Sequence, residues 1–130
     1  WMTGNKTIEQ HIAPIINQAA SNSNKPNPRV VAMNPVLVTD DIETAKKAAI
    51  EYFDRYGNLP SYRAMLDREG LENSSEIAII GNELEVTEKL QEYADAGATD
   101  FAASIFKTGK NDAENAARTK DLLKNLVGKI

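Results

Sequence analysis

Residues 85–106, EVTEKLQEYADAGATDFAASIF, decide the fold. Val86, Leu90, Tyr93 and Ala94 recur at helical spacing and make one apolar stripe. Gly97 follows where that helix must stop. Glycine enters the left-handed region without a Cβ penalty, so it reads as the C-cap. Phe101 to Phe106 is then a nearly continuous apolar run, as expected of a strand covered on both faces. A further helix signal opens near Asn111, with Glu114 three residues on and Ala116, Leu123 and Leu126 as its apolar positions. Helix, short glycine turn, buried strand, helix is the repeating unit of an α/β protein with a parallel sheet.

Working outward, Asn82 and Glu85 stand in capping-box positions ahead of the first helix, and Ile77–Ile80 (IAII) reads as a short strand or buried bend. Further upstream, residues 29–39 (RVVAMNPVLVT) are strand by their β-branched content. Pro35 lacks a ladder donor, which predicts a bulge or an edge there. Asp40 with Glu43 is expected to cap a helix with Ile42, Ala45, Ala49, Tyr52, Phe53 and Tyr56 on its apolar side, ended by Gly57. Asn58-Leu59-Pro60 is a turn, Ser61 begins a short helix closed by Gly70, and 71–75 is loop. At the amino end, Trp1–Gly4 reads as the end of a strand and the turn after it. Thr7 and Gln10 form a capping box, with Ile8, Ile12, Ile15 and Ala19 as the stripe of the helix they open. Pro14 inside that helix should kink it or shift its first turn, and residues 21–28 (SNSNKPNP) are loop.

Composition bounds the function. The 130 residues fit one domain, 1–130, and a net charge of −4 gives no basic footprint for nucleic acid. Residues 1–39 hold three Lys/Arg and one Asp/Glu, and the acidic excess falls on the later helices, where a solvated face explains it. With no cysteine there is no disulfide framework, thiol nucleophile or cysteine zinc site. No apolar run approaches the ~18 residues of a membrane span, and the first residues show no basic-plus-apolar signal pattern, so a cytoplasmic protein is expected. His11 is the only histidine and has no partner at motif spacing. Gly81-Asn82-Glu83 lacks the flanking glycines of a dinucleotide or phosphate loop.

Several helices thus accompany only two full strands, a fragment and a strand stub. Strands this apolar need neighbours, and a closed (β/α)8 barrel takes about 250 residues. The chain is therefore expected to be the C-terminal portion of such a barrel. The blocks WMTG-x-KTIEQHI, RVVAMNPVLVTDD, YGNLPSYRAMLDREG and IAIIGNELEVTEKLQEYADAGATDF occur in this order. Together they resemble the C-terminal part of the luciferase-like oxidoreductases, in the deazaflavin (coenzyme F-420) branch. That resemblance implies a (β/α)8 barrel passing hydride between a deazaflavin or FMN and a small organic substrate. It implies that Trp1–Gly4 end the sixth barrel strand, that 30–39 are the seventh and that 99–106 are the eighth, with 57–76 a lid or insertion near the substrate mouth. The first five strands of the family, which supply most of its flavin pocket, have no counterpart in these residues.

In such a barrel chemistry sits at the carboxyl ends of the strands. That selects Trp1 and Thr3, Val38 to Asp40, and Phe106 to Thr108, with Trp1, Thr3 and Gly4 on the cofactor side; Trp1 lies along the ring with Thr3 at its polar edge, or else belongs to the core. Tyr62 and Arg63 open the lid helix, where Arg63 either binds a substrate anion or pairs with Asp67 at i+4. Lys107 either meets a phosphate or carboxylate or is an exposed strand-end lysine. Asp40 reads as an N-cap ahead of a catalytic acid. Three functions compete at this point: a fragment of a luciferase-like oxidoreductase, a non-catalytic remnant folding as a homodimer or with a separate N-terminal barrel half, and a small α/β interaction module.

Overall fold

The computed structural model describes residues 1–130. A long helix, α1, spans residues 5–22, and its central turn Ile8–Ile12 is π-helical. It is followed by β1 (Val31–Val38), α2 (Ile42–Phe53), a 3-10 stretch (Asp54–Asn58) and α3 (Pro60–Glu69). A second 3-10 turn (Ser74–Ile77), β2 (Ile79–Gly81), α4 (Glu83–Asp95), β3 (Asp100–Ile105) and α5 (Asp112–Leu126) complete the chain. The strands form one parallel sheet in the order β2-β1-β3. The α/β class and the parallel pairing of the two long strands are as the sequence implies.

The helix-to-strand junction that anchored the reading is built as expected. Asn82 Oδ1 accepts from the amides of Leu84 and Glu85, and Glu85 accepts from the Asn82 amide, closing a capping box. At the far end Gly97 has φ +99°; its amide bonds the carbonyl of Ala94, and the Ala98 amide reaches back to Tyr93. This double closure satisfies the last carbonyls of the helix and needs the left-handed residue that glycine supplies. Val86, Leu90 and Tyr93 are buried against the sheet.

Four local expectations are corrected. Thr7 and Gln10 do not cap α1: the helix begins at Asn5 and Thr7 lies within it, its amide donating to Glu69 Oε1 at 2.6 Å. Pro14 has no N–H for the preceding turn, and that turn widens to π-helix. The wider turn moves the stripe on by one residue, so Ile16 and not Ile15 packs on the core, and Ile15 and Ala19 face outward. The cap of α2 is Asp41, which accepts from the Thr44 amide at 3.3 Å; Asp40 is one residue too early. Finally, β3 is half-buried along its whole length, because it is an edge strand.

Pro35 sits in the central strand with no break in register, opposite Ser104 of β3. Its missing donor is harmless because it faces the other edge. There the Met33 carbonyl accepts from the Met2 amide at 2.8 Å and the Thr39 amide bonds Gly81. Pro35 falls between Met2 and the start of the β2 ladder at Val36, so no ladder bond on that edge is lost.

Two apolar clusters occupy opposite faces of the sheet. Val30, Ala32, Val36 and Val38 of β1 pack with Ile8, Val86, Leu90 and Tyr93, flanked by Leu122, Leu123 and Leu126 of α5. The second cluster joins Met2, Ala49, Phe53, Met65, Leu66 and Ile77, with Ile80 and Phe106 against it. It covers only the carboxyl-terminal half of its face: Leu37 is buried there, whereas Val31 and Met33, on the same side of β1, are 55% and 42% exposed.

Candidate functional site

The carboxyl ends of the three parallel strands meet at one end of the sheet, where ligands of open α/β sheets bind, while the Trp1–Gly4 stub lies beside the amino half of β1, its Met2 amide bonded to the Met33 carbonyl. Met2 is fully buried yet has φ +54°, a left-handed conformation that costs a side chain of this kind about 1 kcal/mol. Its burial in the second cluster and its bond to Met33 hold it there. The bend turns Trp1 onto α2 and the 3-10 stretch, edge-to-face with Phe53 at 6.3 Å and Tyr56 at 6.4 Å between ring centroids.

From Trp1 the aromatic contacts continue in both directions. Tyr56 lies 5.1 Å from Tyr62, and Phe53 lies 5.5 Å, edge-on, from Phe106 at the end of β3. Trp1, Phe53, Tyr56, Tyr62 and Phe106 thus form one aromatic wall. Burial, and secondarily Tyr56, push the Tyr62 hydroxyl above the usual tyrosine range.

The residues singled out from sequence divide around this wall. Trp1 and Tyr62 are parts of it, joined through Tyr56, and Lys107 follows Phe106, exposed and outside any ion pair. Thr3 lines one cleft with Trp1, Val31 and Met33, and Gly4 follows it. The Thr3 carbonyl accepts from Asn34 Nδ2 at 3.1 Å, and Gly4 packs on the Glu69 carboxylate. Arg63 turns toward loop 71–72, with Nε on Asp67 at 2.9 Å, Nη1 on the Glu72 carbonyl at 2.8 Å and Nη2 on the Leu71 carbonyl at 2.7 Å. The i+4 pair with Asp67 is therefore present, as part of a latch closing α3 onto its following loop. His11 is exposed on the π turn.

A second, polar cleft of about 370 Å³ lies on the same rim, lined among others by Thr39, Asp41, Asn111 and Arg118. Four of its five charged side chains are paired. Arg118 donates to Asp40 Oδ2 at 2.9 Å and, through Nε and Nη2, to both Glu83 oxygens at 2.8 and 2.9 Å. This bidentate bond holds the Glu83 carboxyl down to about 2. Lys110 Nζ bonds Asp41 at 2.9 Å and, with Thr44, lowers that carboxyl as well. Asp40, expected as a cap, is thus an ion-pair partner. The arrangement ties the ends of β1, β2 and β3 together, and among the cleft's charged side chains only Glu114 is outside it. No group of three or more His, Cys, Asp or Glu is placed to hold a metal ion.

Two polar residues of this region escaped the sequence reading. Asn34 is fully buried in β1 and fixes the stub through Thr3; an asparagine inside an apolar strand was the signal. Glu69 is 5% exposed at the end of α3, and nothing in its sequence context marked it. Comparison with protein-family models, with curated proteins and with solved structures finds no match to this chain.

Proposed function

We propose that this chain is the C-terminal portion of a luciferase-like (β/α)8 barrel and serves an oxidoreductase that passes hydride between a deazaflavin or FMN and a small organic substrate. The observation that carries this reading is the aromatic wall that runs from Trp1, beside the amino half of β1, to Phe106 at the carboxyl end of β3 and to Tyr62 on α3. Strand order supports it: the Trp1–Gly4 stub and β3 flank β1 on opposite edges, as the sixth, seventh and eighth strands of a barrel would. The bare half-face around Val31 and Met33 is the kind of surface that the inside of a closed barrel covers.

In this reading Trp1 packs on the cofactor ring, Thr3 and Gly4 shape the backbone beside its polar edge, and Tyr62 and Lys107 face the substrate. Arg63 holds the lid and offers its remaining N–H donors to a substrate anion. The cofactor supplies the hydride chemistry, and the chain orients the reactants and excludes water. A cytoplasmic location and association, as a homodimer or with the N-terminal barrel half, belong to the same proposal. No helix is long and apolar enough to cross a membrane.

Fluorescence titration of deazaflavin and of FMN into the barrel completed by its upstream strands tests the reading. Saturable binding that weakens on Trp1→Ala is expected; no saturable binding of either would refute it. The alternative, a non-catalytic association module, draws on the same uncovered face. It predicts concentration-dependent assembly without binding of either cofactor.

A further inference from the structure

The Glu69 carboxylate is buried between two segments that are 62 residues apart in sequence. Its Oε1 accepts from the Thr7 amide at 2.6 Å, and its backbone carbonyl accepts from Lys6 Nζ at 3.0 Å. A charged acceptor on the first turn of a helix is a strong, short bond, favoured by the helix dipole. The fit is specific on the other side too. A Cβ on Gly4 would overlap Glu69 Cδ and both carboxylate oxygens. Only glycine lets the acid in.

Glu69 ends α3, the helix that also carries Tyr62 and Arg63. Gly4 and Thr7 follow Trp1 and Thr3. Met65 and Leu66 of α3 pack in the cluster that buries Met2, and Tyr62 reaches Trp1 through Tyr56. The lid is therefore fastened to the strand-end segment at both ends, by aromatic contacts at one and by Glu69 at the other. We propose that Glu69 is a positioning residue: it latches the lid helix to residues 4–7 and so couples lid position to the orientation of Trp1. The latch stands on geometry alone; its consequence for hydride transfer rests on the function proposed above.

Trp1 is the only tryptophan, so its fluorescence reads this coupling directly. Glu69→Ala is expected to shift Trp1 emission to the red and raise its quenching by acrylamide, at temperatures where circular dichroism shows the fold intact. Gly4→Ala, which must expel the carboxylate, should do the same, and Glu69→Gln, which keeps an acceptor for the Thr7 amide, should restore most of the native signal. A residue serving stability alone would lower the melting temperature and leave Trp1 quenching in the folded state unchanged, and that result would overturn the proposal. Amide exchange on the unaltered chain gives an independent reading. Thr7 should exchange together with the α3 amides; exchange of Thr7 far ahead of α3 would equally overturn it. If Trp1 responds as described but the completed barrel binds neither deazaflavin nor FMN, the latch stands and the cofactor assignment fails.

Discussion

The two faces of β1 are built differently. The face with Ala32, Val36 and Val38 is closed along its length by α1, α4 and α5. The face with Leu37 is closed only at its carboxyl end, by α2 and α3, and leaves Val31 and Met33 in solvent. Both faces carry apolar residues of the same kind on the same strand, so composition does not explain the difference. The helical layer on one face is complete, and that on the other is complete only where α2 and α3 reach it. A strand with two apolar faces is stable when both are covered, so the open half-face should contribute less to stability than the closed one.

Substitutions should separate the two faces cleanly. Ile8→Ala, at a position 2% exposed in the closed cluster, is expected to cost about 2–5 kcal/mol, the usual range for emptying a buried aliphatic site. Met33→Ala on the open face should stay within about 0.5 kcal/mol for the chain alone. Denaturant melts of both variants check this, and similar losses would mean that the two faces are equally packed.

The closed face also depends on one polar contact. Thr119 is fully buried; its Oγ1 accepts from the Val38 amide at 2.9 Å and donates to the Asn115 carbonyl at 2.7 Å. Thr119→Val keeps the shape and strands the Val38 N–H, for an expected loss of about 1–3 kcal/mol. An unchanged melting midpoint would show that the amide finds another partner. Gly97→Val should cost ~1 kcal/mol or more, because a β-branched residue resists φ +99° and its Cβ would meet Ala13 Cβ at 3.3 Å. A neutral melt would remove Gly97 as the element that stops α4.

The smallest effect is at the polar rim. The Glu83 carboxyl is held down to about 2 from an ordinary 4.5, chiefly by Arg118. A depressed carboxyl adds stability above its unfolded value, and that stability fades as pH falls from about 4.5 toward 2. Glu83 is substantially exposed, so the contribution is modest and screened by salt. Arg118→Ala should flatten the acid limb of the stability curve, most visibly at low ionic strength. An acid limb identical to that of the unaltered chain would show that the pair contributes nothing.

How far the sequence could be read follows from the range of the interactions. The capping box at Asn82, the glycine stop at Gly97 and the parallel relation of 31–38 to 100–105 are local patterns or follow from them. The π turn before Pro14 shifted a stripe that assumed 3.6 residues per turn. The half-burial of β3 depends on what lies beside the strand, which its own residues do not encode. At the candidate site Trp1 was legible as an aromatic residue near a strand end and Tyr62 as the opening of a short helix, but Tyr56, which joins them, and Phe53, which joins Trp1 to Phe106, read only as helix stripe. Arg63 and Glu69 take their roles from contacts made by folding: with loop 71–72 for the first, and across 62 residues for the second.

The difference between the two faces of β1 is tested most directly by sedimentation velocity of the chain over a concentration series through the micromolar range. Val31→Asp and Met33→Asp variants would be run alongside. If the open half-face is an unfinished barrel interior, the chain should associate as concentration rises and either aspartate should return it to a folded monomer. A well-folded, monodisperse monomer at every concentration, indifferent to either aspartate, would contradict it.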